Sequence, residues 1–226
     1  VGGGGLIAGI GVVMKALRPG VRVIGVEPSN CPSLLESLKA GKVIKVDSSP
    51  TLADGLGVAR VGQIPFEICR SVVDHIELVD EPTIALSVLR LLELEKMMVE
   101  GAGAASLAGA MRAEALGLKG KNVAILLCGG NIDVTVLNKV IDRGLAADGR
   151  LCKITCNTSD RPGSLAKMTA LFAQHGASVV EIYHDRHFGP ADVAKVFITA
   201  ILETRDNGHI REVISALQSA GIETRT

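Results

Sequence analysis

Two glycine-rich turns hold the residue types that could do chemistry in this chain. The first is Gly2-Gly3-Gly4-Gly5, with Leu6 opening a run that reads as a helix. Without a Cβ, consecutive amides can converge on one centre, and a helix N-terminus adds positive partial charge there. That combination suits an anionic phosphate. Gly3-x-Gly5-x-x-Ala8 also satisfies the dinucleotide fingerprint, and Glu27 stands about 20 residues on, where a ribose-binding acid would. An oxidoreductase using a nicotinamide cofactor is therefore one reading of this loop. The second turn, Cys128-Gly129-Gly130-Asn131, leaves an apolar run. In open α/β sheets, ligands sit outside the carboxyl ends of strands. A glycine cradle and a turn of this kind together point to a small, flat, phosphorylated cofactor.

These turns need elements to hold them. Helical patterning covers residues 7–17, with Pro19-Gly20 as the stop, and residues 33–39, ending at Gly41. Apolar, β-branched runs at 21–27, 75–79 and 123–127 predict buried strands. Residues 43–62 are irregular, 66–73 read as a short helix, 82–98 as a longer one and 104–116 as a small-residue helix. Asp133 caps a helix that continues to Arg143. Alternating strands and helices argue for an open, mostly parallel sheet covered on both faces. Residues 144–149 read as a linker. Beyond it, strands at 151–155, 177–184, 193–203 and 222–225 and helices at 164–175 and 210–220 give the order βαββαβ, a ferredoxin-like split. A loop containing Gly189-Pro190 joins the middle strands. The expected domains are 1–147 and 151–226.

Composition narrows the classes. The 226 residues carry 24 Lys+Arg against 24 Asp+Glu, so no broad basic field is available for nucleic acid. Aromatic residues make up 2%, too few for a base-stacking platform. No run reaches the ~18 apolar residues that span a bilayer. The five cysteines, Cys31, Cys69, Cys128, Cys152 and Cys156, have no framework spacing and no histidine pair beside them, which predicts free thiols and a cytoplasmic protein. The chain opens on Val1, in a loop that ordinarily follows a strand, so a fragment of a longer protein is expected.

Five segments stand in one order: Val1-Gly-Gly-Gly-Gly-Leu6, Val26-Glu27-Pro28, Ala53-Asp54-Gly55, Val99-Glu100-Gly101-Ala102 and Leu127-Cys128-Gly129-Gly130-Asn131. In this, residues 1–146 resemble the threonine dehydratases and the closely similar serine racemases, which are fold-type II (tryptophan synthase β-like) pyridoxal-phosphate enzymes. The resemblance implies pyridoxal 5'-phosphate as cofactor. Gly2, Gly3, Gly4, Gly5 and Leu6 would hold its phosphate, and Cys128, followed by Gly129, would meet the pyridine nitrogen. Glu100 would lie near the ring, with Asp54 and Gly55 on a loop by cofactor and substrate. It also implies a mono- or divalent cation at Glu27, with a carbonyl from Cys31; Ser33 stands where related racemases place an Asp. The Schiff-base lysine of a Ser-Phe-Lys motif has no counterpart here and is expected upstream.

Asp160-Arg161-Pro162-Gly163-Ser164-Leu165, with the βαββαβ order and the Glu203-Thr204-Arg205 exit, resembles an ACT domain over 151–226. That implies an amino-acid effector at Pro162, Gly163, Ser164 and Leu165, and a homo-oligomer. The activity implied is deamination of L-threonine to 2-oxobutanoate and ammonia, or of L-serine to pyruvate, by the full-length protein. A serine racemase-like enzyme and a non-catalytic amino-acid-sensing module remain as alternatives.

Overall fold

The computed structural model describes residues 1–186, 192 and 194–225. The Gly189-Pro190 loop and the expected strand start at 193 lie outside the described residues. The chain divides into two compact units, residues 1–144 and 145–226.

The first unit opens with α1 (Gly5–Leu17), followed by β1 (Ile24–Pro28), α2 (Ser33–Ala40), a 3₁₀ turn (Asp54–Leu56), α3 (Gln63–Val72) and β2 (His75–Val79). The two strands pair in parallel, from Ile24 opposite His75 to Pro28 opposite Val79. A parallel pair needs a long crossover, and the chain between the strands supplies it. Successive residues of β1 face opposite sides of the sheet. Gly25 abuts Ile7 of α1 on one side, and Val26 meets Gly109 of α5 (Gly101–Ala110) on the other. Helices thus cover both faces, which explains why the β1 segment is apolar without alternation. Phe66, Cys69, Leu34 and Ala8 fill the core beneath α1, α2 and α3. Ala104, Val88, Leu91 and Val140 form a second cluster, joining α5 to α4 (Glu81–Arg90) and α6 (Val134–Ala147).

Four expectations need correction. The helix expected over 82–98 is α4 continued by a π-helical turn at Leu91–Glu95, and Lys96 in the left-handed region (φ 57°) stops it. The helix expected to reach 116 ends regularly at Ala110, and turns follow. Residues 123–127 are extended but join no ladder, so the sheet has two paired strands among the described residues rather than a broad parallel array. The linker expected at 144–149 is largely helical, because α6 runs to Ala147.

The second unit comprises β3 (Leu151–Ser159), α7 (Ser164–Gln174), β4 (Ser178–Asp185), β5 (Lys195–Glu203), α8 (Asn207–Ser219) and β6 (Glu223–Arg225). Its antiparallel sheet has the order β4-β5-β3-β6, the ferredoxin-like arrangement expected from the βαββαβ sequence. Strict alternation along β5 sends Val196, Ile198, Ala200 and Leu202 inward, against Met168, Phe172, Val213 and Leu217 of the two helices. Cys156 lies in the same core, where burial pushes its thiol up to about 11. It is an inert apolar filler rather than a nucleophile.

Candidate functional site

A cavity of about 550 Å³ lies within the first unit. Gly2, Gly3, Gly4, Gly5, Leu6, Gly55, Glu100 and Cys128 all line it. Contacts between neighbouring segments bring them together. Gly3 accepts a hydrogen bond from the Gly62 amide at 3.1 Å, fixing the glycine loop to the start of α3. A Cβ on Gly2 would stand 3.0 Å from the Gly55 carbonyl, and one on Gly55 would stand 3.2 Å from Ala102. A Cβ on Gly103 would fall 2.4 Å from the Cys128 carbonyl, so the absence of a side chain lets α5 approach the second turn.

Gly4 is the N-cap of α1, at φ 88°, and no side chain caps the helix. The first amides of α1 are therefore left as donors at the cavity wall, which is the anion-binding property of a helix start. A Cβ at Gly4 would collide with Pro65 and Val61 at 2.9 Å. Glu100 occupies the N-cap position of α5, its amide donating to the Gly129 carbonyl at 3.3 Å. Gly129 (φ 96°) does not line the cavity. A Cβ there would overlap the Glu100 carboxylate at 2.2 Å, so this glycine makes the room that Glu100 occupies.

The remaining sequence-derived candidates lie elsewhere. Asp54 is exposed, is not part of the lining, and spends its carboxylate on the Gly55 amide at 2.7 Å. Glu27 is fully buried, and its two oxygens accept from the Leu34 and Leu35 amides, each at 2.9 Å, capping α2. Burial pushes its carboxyl upward against the pull of those amides. Cys31 is buried beside it, and the buried Ser33 hydroxyl has no hydrogen-bond partner. Among the described residues, no group of three or more His, Cys, Asp or Glu side chains could hold a metal ion. Pro162, Gly163, Ser164 and Leu165 form the start of α7, where Gly163 (φ 92°) is an N-cap without a side-chain bond.

Sequence reasoning missed Gly103 and Ser106. The Ser106 hydroxyl donates to the Leu126 carbonyl at 2.6 Å and ties α5 to the run before Cys128. The visible signal was the small-residue stretch Gly101-Ala-Gly-Ala-Ala-Ser106, which marks a close helix approach.

A family model described as "Pyridoxal-phosphate dependent enzyme" matches residues 1–129, more than half the chain and all of the cavity lining. The chain belongs to the pyridoxal-phosphate dependent enzyme family. An ACT domain model matches residues 154–219. An L-threonine ammonia-lyase of Thermotoga maritima is 40% identical over 225 residues, covering all of this chain and 56% of the relative. Another, from Geobacter sulfurreducens, is 44% identical over 221 residues, covering 98% and 55%. The chain thus spans about half the length of these relatives. Among solved structures, the processed form of threonine deaminase isoform 2 from Solanum lycopersicum is 35% identical, with a TM-score of 0.61 over 63% of this chain and 40% of that one. Maize serine racemase is 33% identical, with a TM-score of 0.57 over 62% and 44%.

Membership in the pyridoxal-phosphate family corrects the dinucleotide reading of the first loop. Glu27 explains why the fingerprint misled. A ribose-binding acid must face the ligand crevice, whereas this one is buried beneath α2. The family's cofactor fits the residues present. An uncapped helix start and a glycine loop suit its phosphate, and an exposed thiol stands at the second turn.

Proposed function

We propose that this chain supplies the phosphate cradle, the ring-nitrogen contact and an ACT module to an L-threonine/L-serine ammonia-lyase. The observation that carries this reading is a cavity lined by the first glycine turn and by Cys128 of the second, in a chain 40% identical along its length to an L-threonine ammonia-lyase. The amides of Gly2 to Leu6 hold the phosphate. Cys128 faces the pyridine nitrogen, and a thiol, as a weak donor, leaves that nitrogen largely unprotonated. Glu100 stands beside the ring, in the space that Gly129 leaves for it, and Gly55 borders the substrate side. When bound, pyridoxal phosphate supplies a moderate electron sink that eases loss of the α-proton and the β-hydroxyl. The overall change converts L-threonine to 2-oxobutanoate and ammonia, or L-serine to pyruvate and ammonia.

In the second unit, the amides that begin α7 receive the carboxylate of an amino-acid effector, and the module joins copies of the protein into a homo-oligomer. The protein works in the cytoplasm; among the described residues, no helix is long and apolar enough to cross a membrane. The lyase reading is preferred to the racemase one because the Glu27 oxygens cap α2 and the chain carries an ACT domain.

Cys128 is exposed, whereas Cys31, Cys69 and Cys156 are buried. Iodoacetamide on the native chain, mapped by peptide mass spectrometry, is expected to label Cys128 first, and pyridoxal phosphate is expected to slow that labelling about tenfold at saturation. Inorganic phosphate in excess would reverse the protection. Labelling of Cys128 at an unchanged rate would place the ring elsewhere and defeat the assignment.

A further inference from the structure

The sheet of the second unit keeps one face open. Its other face packs Ile154, Cys156, Ile198, Ala200 and Leu202 against residues of α7 and α8. Alternation sends the residues between these the opposite way, and the Thr155 and Thr199 hydroxyls meet on the open side at 3.1 Å. Phe197 and Ile201 of β5 stand there half-buried. Tyr183 of β4, the one tyrosine of the chain, is 55% exposed beside them, and its hydroxyl donates to the Glu181 carboxylate.

The two edges of this sheet are poor surfaces for another chain. β6 has three residues, and the register of β4 with β5 shifts between Val179 and Glu181, which marks a bulge. Short and bulged edge strands resist the addition of a further strand. The face carries no such obstacle, and its residues form rows. Glu181, Ile201 and Lys153 stand level on β4, β5 and β3. Tyr183, Thr199 and Thr155 make the next row, and Phe197 follows on β5. The first row is acidic at one end, apolar in the middle and basic at the other. Glu181 and Lys153 are both exposed, and two strand spacings, about 10 Å, separate them. Turned over about an axis along β5, this row meets its own complement. Ile201 falls on its counterpart, and each glutamate falls on the lysine of the other copy.

We infer that this open face joins two copies of the chain, stacked sheet on sheet about a two-fold axis along β5. Stacked sheets lie about 10 Å apart with their strands within about 30° of each other. That spacing buries Phe197, Ile201 and the Tyr183 ring between the layers and sets two Glu181–Lys153 pairs at the flanks. The apolar and aromatic centre drives association, as at other interfaces. The flanking pairs fix the register and turn away partners of the wrong charge. The inference rests on the homo-oligomer of the proposed function and names the surface that forms it. It holds whatever effector α7 receives.

Sedimentation of the full chain over a range of concentrations reads the association. Lys153→Glu and Glu181→Lys each set like charges against one another across the interface, and each is expected to weaken one association step about tenfold or more. An equimolar mixture of the two variants is expected to recover that step, because both contacts of the mixed pair are again opposite in charge. Mixing cannot repair a folding fault in one variant, so recovery reports the interface itself. Tyr183 gives a second reading, since the chain has no tryptophan. Quenching of its emission by acrylamide is expected to fall as the wild-type chain associates. Association that neither reversal weakens, or that both weaken and the mixture does not recover, would overturn the inference while leaving the homo-oligomer in place. Weakening by Glu181→Lys alone would assign the contact to the β4 edge, and weakening by Lys153→Glu alone would place it away from β4; each also overturns the inference. A wild-type chain that stays monomeric would remove the homo-oligomer and this interface together.

Discussion

At Gly4, backbone conformation and packing exclude a side chain for separate reasons. Its φ of 88° costs an L-residue about 1–2 kcal/mol, and a methyl would also collide with Pro65 and Val61. Gly3 has negative φ and open space around its Cβ position. Gly4→Ala is therefore expected to lower stability by at least about 1–2 kcal/mol and to weaken pyridoxal phosphate binding, whereas Gly3→Ala leaves stability within about 0.5 kcal/mol. Urea unfolding with and without the cofactor measures both. Equal losses for the two variants would remove the special role of the αL cap. Residue types alone made this loop legible, because few functions other than anion binding ask for four adjacent glycines before a helix. They could not reveal Glu27. A carboxylate at a strand end reads as a ligand for ribose or metal until the start of α2 is seen lying over it.

The elements that were legible are those whose stability is local. α4 shows why: Asp80 is its N-cap, accepting from the Thr83 amide at 2.9 Å and from the Thr83 hydroxyl at 2.5 Å, and Pro82 lies in its first turn. Those bonds, first the hydroxyl and then the amide, hold the Asp80 carboxyl below its ordinary value. A depressed folded value means that the cap stabilises fully above the unfolded carboxylate pKa of ~3.9 and is lost as pH falls through the folded value. Asp80→Ala is expected to cost about 0.5–1 kcal/mol at pH 7, toward the low end for the loss of an N-cap because Asp80 is exposed. The gap between the two proteins should narrow as the pH falls below the unfolded carboxylate value and close once it has passed the lower folded one. Denaturant midpoints at pH 7 and in acid test this, and a gap that persists in acid would deny the charged cap. Elements that depend on distant partners were less legible. Periodicity carried the helix past Leu91 because nothing in the apolar pattern marks a π turn or the left-handed Lys96. Gly144 read as a linker but sits inside α6, where its missing side chain admits the Ala85 carbonyl and Leu89. The run 123–127 has strand composition without a strand beside it.

For the molecule as a whole, binding and turnover are separable. Loss of an α-proton needs a positioned base with a pKa near the working pH, and in this chemistry the cofactor also needs an amine to hold it. No lysine lines the cavity among the described residues. Lys15 pairs with Asp74 at 2.8 Å, Lys39 with Glu36 at 2.7 Å, and Lys96 donates to the Glu93 carbonyl. Val1 lines the cavity, and its amino group donates to the Val26 carbonyl. The carboxylate on the cavity wall, Glu100, sits at the N-cap of α5, next to Gly129. These 226 residues are therefore expected to bind pyridoxal phosphate, as read by protection of Cys128, while releasing no 2-oxobutanoate from L-threonine beyond what the free cofactor gives. Both measurements belong on one sample, so that a misfolded preparation fails the first before the second is read. Turnover above the free-cofactor rate, abolished by Gly4→Ala, would mean that an amine of this chain reaches the site, and the division of labour proposed here between this chain and the rest of its protein would fall.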